Sequence, residues 1–299
     1  MRGDREEMVR TVRRAIDLGI NYFDTASLYG DGKSESNLGA VLHELAADLT
    51  IGTKVRLTAI EMNNIHKAVT ESVDRSLKRL RLDCIDLIQL HNSMGPSRDP
   101  SQDRVGLSDL EPVMATFQSL KEQGKVRFYG INGLGDSDAL LQAVETAGAQ
   151  TIQTCYNLLN PSAAQAVPRG FPFQDFNRLV LRAQAKEMGI IAIRVLAGGA
   201  LSGEEKRHPN AEKTVSPIAT GANYSDDVGQ AKRFQFLIDE GYVVSLVEAA
   251  IRFVIGNPAI TTALVGISSI EQLEQAVECV SKGALPPDAL RRIEDMWDH

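Results

Sequence analysis

The chain has 299 residues, 43% hydrophobic and 24% charged, which suits one large globular domain or two ordinary ones. Its formal net charge of −7 argues against nucleic acid or an anionic membrane as a main partner, and the longest apolar run, GIIAIRVLAGGAL, is broken by Arg194 before it could span a bilayer. MRGDREEMVR lacks the apolar core of a signal peptide, and Cys84, Cys155 and Cys279 are too scattered for a disulfide framework or a zinc site, so a cytoplasmic location without a metal is expected.

In chain order, a helical pattern at 4–18 precedes a strand at 20–25 (INYFDT), and a helix at 34–47 precedes a strand at 49–54 (LTIGTK). The alternation continues with a helix at 64–80, a strand at 85–91 (IDLIQLH), a helix at 109–124 and a strand at 126–131 (VRFYGI). Next come a helix at 136–147, a strand at 151–155 (TIQTC), a helix at 175–188 and a strand at 190–195 (IIAIRV). A helix at 244–256, a strand at 261–265 (TTALV) and helices at 270–282 and 287–297 close the series. Short apolar strands alternating with helices imply parallel strands buried on both faces and joined by right-handed crossovers. A doubly wound sheet and a (β/α)8 barrel both satisfy that pattern. The barrel is favoured because the alternation runs through residues 1–299 as a single domain without a linker, and no strand feeds a GxGxxG turn. The Gly-, Pro- and Ser-rich segments 92–108 and 200–225 follow strands, where barrels carry their active-site loops, although plain surface excursions would read the same way.

The polar residues at the C-terminal strand ends form a chemically matched set. Asp24 ends the first strand, Lys54 the second and His91 the third, with Tyr29 in the loop after the first. A phenol is a poor acid at neutral pH. A nearby ammonium favours its ionised form, an aspartate holds that ammonium, and an imidazole can donate to a substrate oxygen. Each residue alone has a plainer reading: a cap, a solvated strand end, a core histidine, a loop-packing ring. The conjunction at equivalent strand ends is what favours a proton-transfer site.

The stretches AIDLGINYFDTASLYGDGKSESNLG, IGTKV, DLIQLHN, GKVRFYGIN, IQTCYNLLNPS and LVGISSIEQLEQ resemble the aldo-keto reductases in order and spacing over nearly the whole chain. The resemblance implies a (β/α)8 barrel and hydride transfer between NAD(P) and a carbonyl or alcohol. The family's tetrad falls on Asp24, Tyr29, Lys54 and His91, with Tyr29 exchanging the proton. It also implies a cofactor-binding set of Asn132, Gln153, Ile193, Arg194, Gly199, Ser268, Ser269 and Gln272. Gln153 stands where the family holds the carboxamide. Asn132 stands where it usually has serine, and Ile193 where it stacks an aromatic ring on nicotinamide. Arg194 replaces a small residue, and would reach a cofactor phosphate or substrate oxygen, or else form a rim ion pair. NAD is expected over NADP, because the stretch from Gly266 to Gln272 has no cation for a 2′-phosphate while Ser268 and Ser269 suit a ribose hydroxyl.

The departures GINGLG and LVGISS look closest to the branch of sugar dehydrogenases that oxidise L-galactose or L-fucose, so a small carbonyl or sugar substrate is expected. The alternative is a non-catalytic nicotinamide-binding regulatory protein on the same barrel. A metal-dependent hydrolase is disfavoured, since no HxH pair or carboxylate cluster falls at strand ends. Seven strands are countable where a closed barrel has eight. The first barrel strand is expected to be missing, leaving a place in the wall between the strands at 20–25 and 261–265.

Overall fold

A computed structural model describes residues 5–47 and 49–298, so residue 4 of the helix expected at 4–18 lies outside the described residues. These residues form two compact units, one of residues up to 153 together with 185–189, the other of 154–184 and 190 onward.

The first unit runs α1 (Arg5–Asp17), β1 (Tyr22–Asp24), α2 (Lys33–Leu45), β2 (Thr50–Val55), α3 (Ile65–Leu80) and β3 (Ile85–Leu90). Two short strands follow, β4 (Met94–Gly95) and β5 (Val105–Gly106), then α4 (Leu110–Glu122), β6 (Val126–Gly133) and α5 (Ser137–Thr146). β7 (Thr151–Cys155) carries the chain across the boundary. β1, β2, β3 and β6 are neighbours in that order, and their pairings are parallel. The register sets Asp24 beside Gly52 and Lys54 beside Gln89, so that Lys54 and His91 each stand two positions further along than the polar residue of the preceding strand. Ile85, Ile88, Leu90 and Ile131 are fully buried, as strands covered on both faces require.

Local chemistry sets the helix ends. Asn64 caps α3 by accepting from Lys67 N at 3.3 Å, and Asp136 caps α5 by accepting from Ala139 N at 2.9 Å. α3 ends on Arg81 in the left-handed region, after Lys78 and Arg79 in its last turn.

The second unit contains α6 (Leu179–Ala185), β8 (Gly189–Ile193), α7 (Tyr224–Ala231), α8 (Phe236–Asp239), α9 (Leu246–Ile255), β9 (Thr262–Ala263), α10 (Ile270–Ser281) and α11 (Pro287–Asp298). Only Ala185 of α6 and Gly189 of β8 fall to the first unit. β8 and β9 pair in parallel. The sheet order ends on β1 and β9, seven strands in all among the described residues. The architecture is α/β, a (β/α)8 barrel type with seven strands in its sheet.

All seven expected strands and nine expected helices occur, with three differences. The helix expected at 175–188 shrinks to Leu179–Ala185, because Asn177 and Arg178 adopt φ near 50° and 57° and stop it from starting earlier. α7 and α8 were not expected. Val228 and Ala231 of α7, Phe234 in the turn between the two helices and Leu237 of α8 are buried at every third position, but the polar residues around Gly229 dilute the pattern. The 92–108 segment is ordered by its own chemistry: Asn92 accepts from Leu57 N (2.8 Å) and donates to Leu57 O and Asp103 O (2.7 and 2.6 Å). No described helix is long and apolar enough to cross a membrane.

Candidate active site

The first unit brings Asp24, Tyr29, Lys54 and His91 together. Strand alternation turns successive residues of β2 to opposite sides. Thr53 donates to the fully buried carboxylate of Glu35 at 2.6 Å, which Arg79 also grips, while Lys54 turns the other way. Its ammonium donates to Asp24 Oδ2 and, at 2.8 Å, to the Thr25 carbonyl. This pair is sequestered, the Lys54 side chain being 3% and that of Asp24 11% exposed.

Tyr29 rides on a short loop pinned to both neighbours. Ser27 donates to Lys54 O at 3.1 Å, Thr25 donates to Ser34 Oγ at 2.8 Å, and Gly30, Asp31 and Gly32 all take positive φ to turn the chain into α2. The Tyr29 ring lies 5.2 Å from the Lys54 ammonium and meets the His91 ring edge-on, centroids 5.8 Å apart at 80°. Tyr29 remains 44% exposed while Lys54 behind it is buried.

His91 leaves β3 with its amide donating to Val55 O at 2.7 Å. Burial, then the charges of Lys54 and Arg56, push its imidazole down to about 4, so the ring is neutral near pH 7. Between pH 4 and 6.5 the unfolded chain binds a proton here that the folded chain does not. Stability therefore rises with pH through that window and is fully present above it, a contribution on the order of 3 kcal/mol at most. Denaturation midpoints measured from pH 7 down to pH 4 should fall more steeply for the wild type than for His91→Asn.

Two of the expected cofactor residues join this group. Asn132 donates to His91 O at 3.0 Å, while its Oδ1 is buried without a partner among the described residues. Gln153, also buried, donates its amide to Asp24 Oδ1 at 2.6 Å, a commitment not anticipated for it. Tyr22 was not anticipated either. Its hydroxyl donates to the same Asp24 oxygen at 3.2 Å, and its place two residues before Asp24 on β1 is the period-2 signal that could have found it.

The second unit holds the other expected positions. Ile193 ends β8, and Arg194 follows with φ 58°, its carbonyl accepting from Ala197 N and Asn157 Nδ2 at 2.7 and 2.9 Å. Gly198 and Gly199 take φ of 69° and 109°, and a Cβ on Gly198 would lie 2.8 Å from the Arg194 guanidinium. Ser269 caps α10 by accepting from Gln272 N at 3.3 Å, and Gln272 Oε1 accepts from Ser268 N at 2.8 Å, so these side chains already serve the helix start. The 200–225 segment bridges the two places through residues that were not singled out: Arg207 donates to Gly198 O at 2.8 Å and stacks on Tyr224, and Asn210 donates to Ser268 O at 3.4 Å.

A parallel-stranded α/β barrel with an Asp–Lys–Tyr–His cluster at its strand ends defines a carbonyl-handling oxidoreductase class. The Aldo/keto reductase family model matches residues 2–298, and the chain belongs to that family as an NAD(P)-dependent oxidoreductase. It is 28% identical to L-galactose dehydrogenase of Arabidopsis thaliana over 93% of this chain and 79% of that protein. It is 29% identical to a putative voltage-gated potassium channel subunit beta of Schizosaccharomyces pombe, over 98% and 85%, and 27% identical to D-threo-aldose 1-dehydrogenase of a Pseudomonas species, over 91% and 83%. Among solved structures it shares its fold with a Klebsiella pneumoniae aldo/keto reductase in complex with NADP and acetate. The TM-score there is 0.71 at 19% identity, over 98% of this chain and 86% of that one.

Each unit's chemistry fits a nicotinamide dinucleotide. In the first, Asn132 offers a buried, unused amide oxygen. In the second, Gly198 and Gly199 turn the chain at positive φ, and the places their Cβ atoms would take lie 2.8 Å from the Arg194 guanidinium and 3.2 Å from that of Arg207. Two guanidinium groups beside a glycine turn suit a diphosphate.

Proposed function

We propose that this protein transfers a hydride between a nicotinamide cofactor and the carbonyl or alcohol carbon of a small substrate, with Tyr29 as general acid and base. The observation that carries this reading is the convergence of Lys54 and His91 on the Tyr29 ring, with Lys54 held by Asp24. The bound cofactor supplies or accepts the hydride. Tyr29, half-exposed, meets the substrate oxygen and gives it a proton in reduction or takes one in oxidation. Lys54 stabilises the negative charge that develops on the phenol oxygen as its proton leaves, and Asp24 keeps the ammonium from turning away. His91, neutral and with Nδ1 buried, presents Nε2 to the same oxygen and orients it. Asn132 and Gln153 would hold the carboxamide end of the cofactor, Ile193 would give its ring an apolar contact, and Arg194, Gly199, Ser268, Ser269 and Gln272 would meet the remainder.

Within this reaction class an aldose is the favoured substrate, because relatives of two different origins are named as dehydrogenases of sugars. The purified protein should oxidise an aldose with NAD, or reduce 4-nitrobenzaldehyde with NADH. If neither cofactor form is consumed across a panel of sugars and aldehydes while NADH still binds, the reading moves to a nicotinamide-binding regulatory protein.

NAD is proposed as the preferred form. The loop entering α10 and the first turn of that helix carry neutral side chains and Glu271 where a 2′-phosphate would need a cation. The expected result is NADH binding about tenfold or more tighter than NADPH by fluorescence titration, a difference of about 1.4 kcal/mol. Tighter NADPH binding would assign the 2′-phosphate to Arg194 or Arg207.

A further inference from the structure

Two tyrosines approach the Asp24–Lys54 pair, and the geometry gives them different work. Tyr22 and Asp24 lie on the same face of β1, so the Tyr22 phenol stands beside the carboxylate. Its hydroxyl occupies the place a side chain at position 52 would take: a Cβ on Gly52 would come 2.1 Å from the Tyr22 oxygen. Glycine on the neighbouring strand therefore makes room for this phenol. The Asp24 carboxylate is gripped at both oxygens, Oδ1 by Tyr22 (3.2 Å) and Gln153 (2.6 Å), Oδ2 by Lys54. A carboxylate with donors on both oxygens cannot swing, and the ammonium it holds then has one direction left for its charge, over the Tyr29 ring.

We propose that Tyr22 is a positioning residue of the reaction, acting through Asp24 to fix Lys54 against Tyr29. Burial first, then the neighbouring Asp24 charge, keeps the Tyr22 phenol protonated far beyond working pH, so it is a permanent neutral donor and not a second proton source. Tyr29, with its ring on Lys54 and His91 and nearly half its surface exposed, is the phenol that meets substrate. The assignment rests on the proposed proton-transfer role of Tyr29.

Tyr22→Phe keeps the ring in the Gly52 notch and removes only the hydrogen bond. A space-filling role predicts no change. A positioning role predicts that kcat falls about fivefold, the equivalent of one net hydrogen bond, while the NADH dissociation constant stays at its wild-type value and the melting temperature drops by no more than the loss of one hydrogen bond explains. In the Asp24→Asn background the same change should cost little more, because the two act as one unit. Wild-type kcat in Tyr22→Phe, or a full additive loss on top of Asp24→Asn, overturns the proposal. Tyr29→Phe, measured alongside, separates the two readings. If it keeps turnover, the proton-transfer assignment itself fails. If it is inactive while Tyr22→Phe is unaffected, only the positioning role of Tyr22 fails.

Discussion

Tyr29→Phe should lose turnover by about a thousandfold, within the range a positioned general acid contributes, while binding NADH as the wild type does. The phenol hydroxyl is needed only where the substrate oxygen changes protonation. The ring's packing against His91 and Lys54 survives the substitution, so the loop from Thr25 to Ser34 keeps its shape. kcat should therefore collapse with little change in cofactor affinity, a pattern single-turnover kinetics and fluorescence titration resolve. A variant retaining more than about a tenth of wild-type kcat would transfer the proton donor's role to another group, water or His91, and dismantle the site as drawn.

Lys54→Met should damage both stability and activity, because it breaks a sequestered ion pair from one side. Asp24 would keep its charge with only Tyr22 and Gln153 to hold it, in a place where its side chain is 11% exposed. Uncompensated charges of this kind typically cost about 3–5 kcal/mol, and chemical denaturation should read a loss of that order. The comparison with Asp24→Asn/Lys54→Met isolates the cause. With both charges removed, much of the lost stability should return, but turnover should not, since nothing then faces the developing charge on Tyr29. If the double variant is no more stable than Lys54→Met alone, the loss comes from packing of the lysine stem and not from the stranded carboxylate.

The meeting of Asp24, Lys54 and His91 was legible in the sequence because their placement follows from two local rules, and Tyr29 stands in the loop that follows Asp24. Parallel strands separated by helices align their C-terminal ends, and a polar residue closing an otherwise apolar strand is brought to that shared edge. The same rules located all the strands of the sheet. They also contained Tyr22, two positions before Asp24 on the same strand face, although a half-buried tyrosine in an apolar strand reads first as packing.

What the sequence could not disclose depended on which groups meet across distance. Gln153 lies 129 positions from Asp24 along the chain, and only the folded register shows its amide spent on that carboxylate. The same is true of Ser269 and Gln272, whose likeness to cofactor-binding positions says nothing of their engagement in the cap of α10. The bridge made by Arg207 and Asn210 lies in the 200–225 segment, whose composition marked a loop but, without hydrophobic periodicity, not which of its residues reach Gly198 and Ser268. The sequence by itself determined the alternation of strands and helices and the chemical kind of residue at each strand end, because backbone geometry repeats every two or 3.6 residues. Tertiary structure alone decided which donors those residues face and how far each is removed from water, because hydrogen bonding and burial are properties of groups distant in the chain.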